Sequence, residues 1–477
     1  MNFSTAALFI GLSAVAGSYG WGMRGCKIGG EKGALLPGAF LGLLFAWFAP
    51  AETIRDHFWL ITAAGALGMA FGGTETYGQT LGFVVSKKPP ENYAKGMTGV
   101  LVKGALWFGI FGSVVGIALG AAAGERYRAG DIIVLLALFI PVKLLGTLIF
   151  NKPLDPSKNR YPKIYFSAGR QEEWGGLLLM LVSLVVLMAY RGDAFALWLC
   201  LAGVLSGSAG WFIGLSLFAL ANHPLNSGRY FYGPLQKKGY ISGWKIMEFT
   251  LGAAGGLGIS VCYVLKYELL RANLAPLKLG GALWNPLGGL SRPLSWAAFA
   301  LFFVPMLQHL FYYLEKHRKG DQKRYHAAGA AFEWLEMPFL LCFPLALVLL
   351  GSVETARLVS FFLLFWVIVE MDFFERAAFE KSRWLWFVPL MGLAAAALAC
   401  WALVPGSFTA WQTWLMYCVA YEFFELCWLV HESAKRNKAE HRPVYMLQMR
   451  RLSEPLVHLW FLLQIAALII VGFFVLR

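Results

Sequence analysis

The sequence predicts an all-α, polytopic integral membrane protein with about fourteen transmembrane helices and some broken or re-entrant segments. Three observations predict it. Hydrophobic residues fill 58% of 477 positions while charged ones fill 14%, and the mean hydropathy is +0.59, too apolar for a soluble domain of that size. Apolar runs of about 17 to 25 residues, each long enough to cross a bilayer as a helix, recur along the chain. Basic residues concentrate between alternate runs.

The first run, 4–21, lacks the positive n-region of a cleaved signal peptide and reads as a span kept in the mature protein. Seven more follow at 33–50, 57–75, 98–123, 131–150, 174–190, 193–221 and 244–265. The remaining six are 294–314, 329–350, 355–374, 384–404, 410–431 and 454–476. Numbered in order, the odd loops hold 29 Lys and Arg against 10 in the even loops and C-terminus. The positive-inside rule then places the odd loops in the cytoplasm. The expected location is a bacterial inner (plasma) membrane with both termini periplasmic. A net charge of +14 needs no nucleic acid, because positive loops facing an anionic leaflet account for it.

Glycine divides the chain. Only ten of 52 glycines follow residue 260, which suggests a glycine-rich transmembrane bundle over 1–265, a Gly/Pro-rich connector over 266–293 and an aromatic, acidic bundle over 294–477. Ladders such as Gly112, Gly116, Gly120 and Gly124, or Gly203, Gly207, Gly210 and Gly214, form stripes on which helix backbones approach closely. Division into seven plus seven spans would create halves of opposite orientation, as in many transporters. Residues 27–43 resemble 245–259, and DFFERAAFE resembles EFFELCWLVHE, but these likenesses are short. The cysteines form no CxxC pair and read as packing residues.

Three acidic pairs lie in or against apolar stretches: Glu333/Glu336, Asp372/Glu375 and Glu422/Glu425. Carboxylates at i and i+3 share one helix face, and a charge at bilayer depth costs several kcal/mol unless paired, protonated or wetted. Glu422 and Glu425 lie deepest, with no basic residue between Trp411 and Val430. Two carboxylates so placed should share a proton, the chemistry of a proton carrier or an oxygen-ligand cation site. Together with His309, these six residues form the expected proton-coupling set. Interfacial carboxylates can also snorkel or pair with nearby Lys and Arg, which is the structural alternative.

A second constellation spans 17–38, where seven glycines between Gly17 and Gly33 surround Trp21, Arg24, Lys27 and Glu31. Glycines can bring backbone N–H groups close to a ligand. Arg24 and Lys27 suit a carboxylate or phosphate, and Trp21 suits stacking on a sugar or ring. A positively charged cytoplasmic loop is the plainer reading, since neither a Walker loop nor a Rossmann fingerprint is present. GGTETYGQTLGFV, 72–84, has the polarity of an unwound helix lining a cavity and adds Glu75, Tyr77 and Gln79 to the expected substrate-binding set. In AGRQEEWGG, 168–176, Glu172 and Glu173 read as acids at a helix start. Under the topology above, Glu31, Glu75, Glu248, Lys103 and Lys143 all fall toward the cytoplasmic side, where an inward-opening polar cavity is expected.

These features suggest a secondary active transporter of a small polar solute, anionic or sugar-like, coupled to protons. The alternative is a membrane-embedded enzyme acting on a lipid-linked substrate from the cytoplasmic side, with His309 or Glu422 as acid or base. No HExxH or GxSxG supports it. A cation carrier built on the acidic pairs is a third class, disfavoured by the basic residues near the inner mouth. No cofactor, metal or catalytic residue is expected; the expected partners are the lipid bilayer, a small solute and protons.

Overall fold

A computed structural model describes residues 1–24, 33–73, 75, 77–85, 90–123, 126–127, 129–167, 172–222, 232–274, 409–415, 417–419 and 454–476. Those residues are almost all helical. In chain order the helices are α1 (Phe3–Met23), α2 (Leu35–Trp47), α3 (Glu52–Asp56), α4 (Phe58–Gly73), α5 (Gly78–Val85), α6 (Pro90–Ala123), α7 (Ala129–Phe150), α8 (Trp174–Tyr190), α9 (Ala194–Asn222), α10 (Gly233–Lys237), α11 (Gly243–Leu265), α12 (Tyr267–Ala272) and α13 (Pro455–Leu476). Every apolar run expected up to residue 265, and the run at 454–476, is a helix. Residues 410–415 and 417–419 are helical as well. Of the described helices, five are long and apolar enough to cross a membrane by length and composition: α1, α6, α9, α11 and α13.

The long helix α6 is the hub. It packs against α4, α5, α8 and α9, while α11 joins α9 to α1, and α1 in turn packs on α2 and α13. Glycine dictates these seams, as the ladders suggested. A Cβ on Gly112 would strike the Leu199 carbonyl, and one on Gly116 would come within 2.7 Å of Ala196. On α9 the ladder serves two partners: Gly203 and Gly207 face the Phe108 and Gly104 carbonyls of α6, whereas Gly210 and Gly214 meet Leu251 and Met247 of α11. Removing side chains there lets main chains touch where lipid supplies no hydrophobic drive.

Large apolar side chains remain exposed on the outer surfaces of α7, α8, α9 and α13, among them Leu148, Val186, Leu205 and Phe474. Helices that are apolar all round suit a lipid environment rather than water. From the second half of the chain, α13 and the helical stretch near 414 pack directly on the first. Gln464 donates to the Ser18 hydroxyl at 2.7 Å, and Phe40 meets Trp414 edge-on at 4.6 Å.

Candidate functional site

The site begins with a broken helix. α4 ends at Gly73 and α5 starts at Gly78, so Glu75 and Tyr77 lie on the connector that the polarity of 72–84 suggested. The Glu75 N–H donates to the Gly72 carbonyl at 3.2 Å and the Leu81 N–H to that of Tyr77 at 2.9 Å. A short turn thus closes α4, and the Tyr77 carbonyl accepts an α-helical bond that opens α5. Glu75 and Tyr77 then point their chemistry into two adjoining clusters.

The first cluster surrounds Arg24, the residue that caps the C-terminus of α1. A cation is favourable there because the helix dipole ends in unsatisfied carbonyls. Its guanidinium carbon lies 5.1, 5.0 and 5.1 Å from the ring centroids of Trp21, Tyr77 and Trp107. Only 3% of Arg24 is exposed. Each such cation–π contact is worth about 0.5 to 2 kcal/mol, more when desolvated. Trp21 stacks on Trp107 at 5.1 Å with 7° between the planes. Trp107 meets Trp211 at 5.7 Å, and Tyr77 meets Trp211 at 5.0 Å and Trp244 at 6.3 Å. Trp21, Trp107 and Trp211 are fully buried, yet their indole N–H groups find no acceptor among the described residues.

An acidic side closes this cluster. The Tyr77 hydroxyl donates to Glu248 at 2.8 Å. Lys245, one turn earlier on α11, pairs with the other Glu248 oxygen at 2.8 Å and donates to the Gly22 carbonyl at 3.0 Å. Glu248 is therefore buried and paired with the neighbouring Lys245, the pairing half of the structural alternative. The last turn of α1, the connector and the first turn of α11 are tied into one circuit.

The second cluster centres on Lys103 of α6, which is fully buried. Its ammonium lies 3.0 Å from Glu75 and 3.2 Å from Glu172, and donates to the Thr80 hydroxyl at 2.8 Å. Glu172 also accepts from the Phe166 N–H at 2.8 Å, and Glu75 from the Glu173 N–H at 2.5 Å. Glu173 itself pairs with Lys143 of α7 at 2.6 Å. Glu172 and Glu173 do stand at the start of α8, Glu173 as its N-cap residue, but their side chains turn elsewhere, Glu172 to the buried Lys103 and Glu173 to the partly exposed Lys143.

Of the sequence-derived substrate set, the structure brings Trp21, Arg24 and Tyr77 together and places Glu75 next door. Gln79 sits in the first turn of α5. Lys27 and Glu31 lie outside the described residues, as do His309, Glu333, Glu336, Asp372, Glu375, Glu422 and Glu425. Three glycines at the start of the 17–33 segment are packing positions. Gly17 meets the Gly252 carbonyl, Gly20 the Pro37 ring and Gly22 the Phe249 ring, so these three let α1 pack, while Gly25, Gly29 and Gly30 lie outside the described residues. Trp107, Trp211 and Trp244 escaped the sequence reading. Their only local signal was a bulky aromatic within a glycine-rich run, and the contacts that unite them span most of the first half.

No protein-family model, curated protein or solved structure matches this chain.

Proposed function

We propose that the chain is a secondary active transporter of a small polar solute, anionic or sugar-like, coupled to protons and bound at the aromatic cluster around Arg24. The observation that carries this reading is a buried guanidinium held by three ring faces beside three buried indole N–H groups that find no acceptor among the described residues. Buried donors without acceptors are each costly, by about 1 to 3 kcal/mol. A ligand rich in acceptor oxygens would satisfy them, and the ring faces would contact its carbon skeleton. Glycine-seamed helices and a helix broken beside the site are features used by transporters. The site lies where α1 and α4 end and α11 begins, the end assigned to the cytoplasm by the basic loops. Proton coupling is assigned to the acidic pairs Glu333/Glu336, Asp372/Glu375 and Glu422/Glu425 with His309.

The test is a thermal-shift screen of small carboxylates, phosphates and sugars on detergent-purified protein, followed by counterflow in proteoliposomes. At least one acidic or sugar-like solute should stabilise the wild type and exchange across the membrane. Arg24→Ala should lose both effects while eluting as a monodisperse peak. Arg24→Lys should recover only part, because Lys lacks the planar fork of donors. Equal stabilisation of wild type and Arg24→Ala would remove Arg24 from the site.

A further inference from the structure

The two clusters share one connector, and this juxtaposition carries an inference beyond solute binding. Glu75 and Glu172 both bear on Lys103, and all three are buried. Within this trio two carboxylates face one ammonium. Lys103 donates to Thr80 and Glu172 and stands 3.0 Å from Glu75 Oε1, so the two carboxylates share one ammonium. Among the described residues of this trio, two buried carboxylates against one ammonium leave a negative charge that a proton removes, since burial penalises the charged form, and Glu75 is the wholly buried one of the two. A metal cation is disfavoured at that place because the Lys103 ammonium already stands between the carboxylates. Two residues further on, Tyr77 lies under Arg24 and against Trp107 and Trp211.

We propose that the Glu75–Lys103–Glu172 cluster is a proton-binding site, with the proton on Glu75, and that its occupancy is felt at Tyr77, two positions along, and so in the aromatic cluster around Arg24. Binding forms an O–H bond on Glu75 from a solvent proton and takes the carboxylate from negative to neutral; release returns the proton to water. Neutral Glu75 loses its attraction to Lys103, so Lys103 turns wholly to Glu172 and Thr80. The connector is then freed from α6, and Tyr77 moves with it. The charged groups around this event are Lys103 on α6, Glu172 and Glu173 before α8, Lys143 on α7, Arg24 on α1, and Lys245 and Glu248 on α11. This adds a proton site in the first half of the chain to the acidic pairs of the second. It gains its functional meaning from the transport reading, but the test contains no solute and so fails or succeeds separately.

The experiment is 19F NMR of the protein labelled with 5-fluorotryptophan in micelles, with the Trp107 and Trp211 resonances assigned by Trp→Phe substitution. Between about pH 5 and about pH 9, both resonances should titrate together in the wild type and stay fixed in Glu75→Gln. If Glu75→Gln does not fold, Glu172→Gln serves instead. Removing the second carboxylate leaves Glu75 facing Lys103 alone and should move the midpoint to lower pH. Resonances that do not titrate in the wild type would overturn the proposal, as would an unchanged midpoint in Glu172→Gln. So would a titration that survives Glu75→Gln and disappears in Glu248→Gln, which would put the proton on Glu248.

Discussion

Replacing Lys103 with Met removes a buried charge while keeping most of its volume, and the structure sets the size of the effect. Lys103 stands 3.0 Å from Glu75 and 3.2 Å from Glu172. At 3.0 Å and an effective dielectric constant of about 20, each attraction is worth about 5 kcal/mol before desolvation is counted. Desolvation offsets much of that in the intact cluster. It offsets nothing once the cation is gone, because the carboxylates stay buried without it, and breaking such an arrangement costs about 3 to 5 kcal/mol. Lys103→Met should therefore lower the melting temperature sharply in a detergent-based thermal assay. The triple variant Lys103→Met, Glu75→Gln, Glu172→Gln should regain most of the loss, since no charge is then stranded and the Gln amides can still hydrogen-bond. A Lys103→Met protein as stable as the wild type, or a triple variant as unstable as the single one, would refute the reasoning.

Further outcomes follow from the packing and topology. Gly207→Val places a branched side chain against the Gly104 carbonyl and should cost about 1 to 3 kcal/mol, whereas Gly11→Ala meets nothing within 4 Å and should leave the thermal unfolding midpoint unchanged or raised. Asp193 accepts from the Ala196 N–H at 3.0 Å, the Tyr127 hydroxyl at 2.9 Å and the Asn273 amide at 3.1 Å. Burial, and after it the Asp193 charge, push the Tyr127 phenol above its ordinary value, so it stays a donor. Asp193→Ala loses the cap, about 1 kcal/mol, and strands two buried donors at about 1 to 3 kcal/mol each; a melting curve that does not move would contradict that account. A C-terminal alkaline phosphatase fusion should be active and a fluorescent-protein fusion dark if both termini are periplasmic. The opposite pair of results would reverse the orientation.

Much of the fold was legible because membrane helices announce themselves locally. An apolar run at 193–221 becomes α9 with little dependence on the rest of the chain, and the glycines at 203, 207, 210 and 214 mark a packing face before any partner is known. The broken helix at 74–77 was legible for a similar reason: Thr74, Glu75, Thr76 and Tyr77 are too polar for an uninterrupted span. What local pattern could not supply was pairing. Nothing in the surroundings of Lys103 names Glu75, 28 residues earlier, or Glu172, 69 residues later. Trp211 likewise enters the Arg24 cluster only once α9 is laid against α6. Glu172 shows the limit: it does precede α8 as its position suggested, but its side chain is taken by a lysine from another helix.

The most direct test of the central claim is equilibrium binding of the best-stabilising radiolabelled solute, by scintillation proximity, to wild type, Arg24→Ala and Trp107→Phe in the same detergent. The account predicts saturable binding to the wild type, none detectable with Arg24→Ala, and weakened binding with Trp107→Phe, which keeps a ring face but loses an indole donor beside Arg24. Binding that is equal in all three proteins would contradict it and move the solute site elsewhere in the chain.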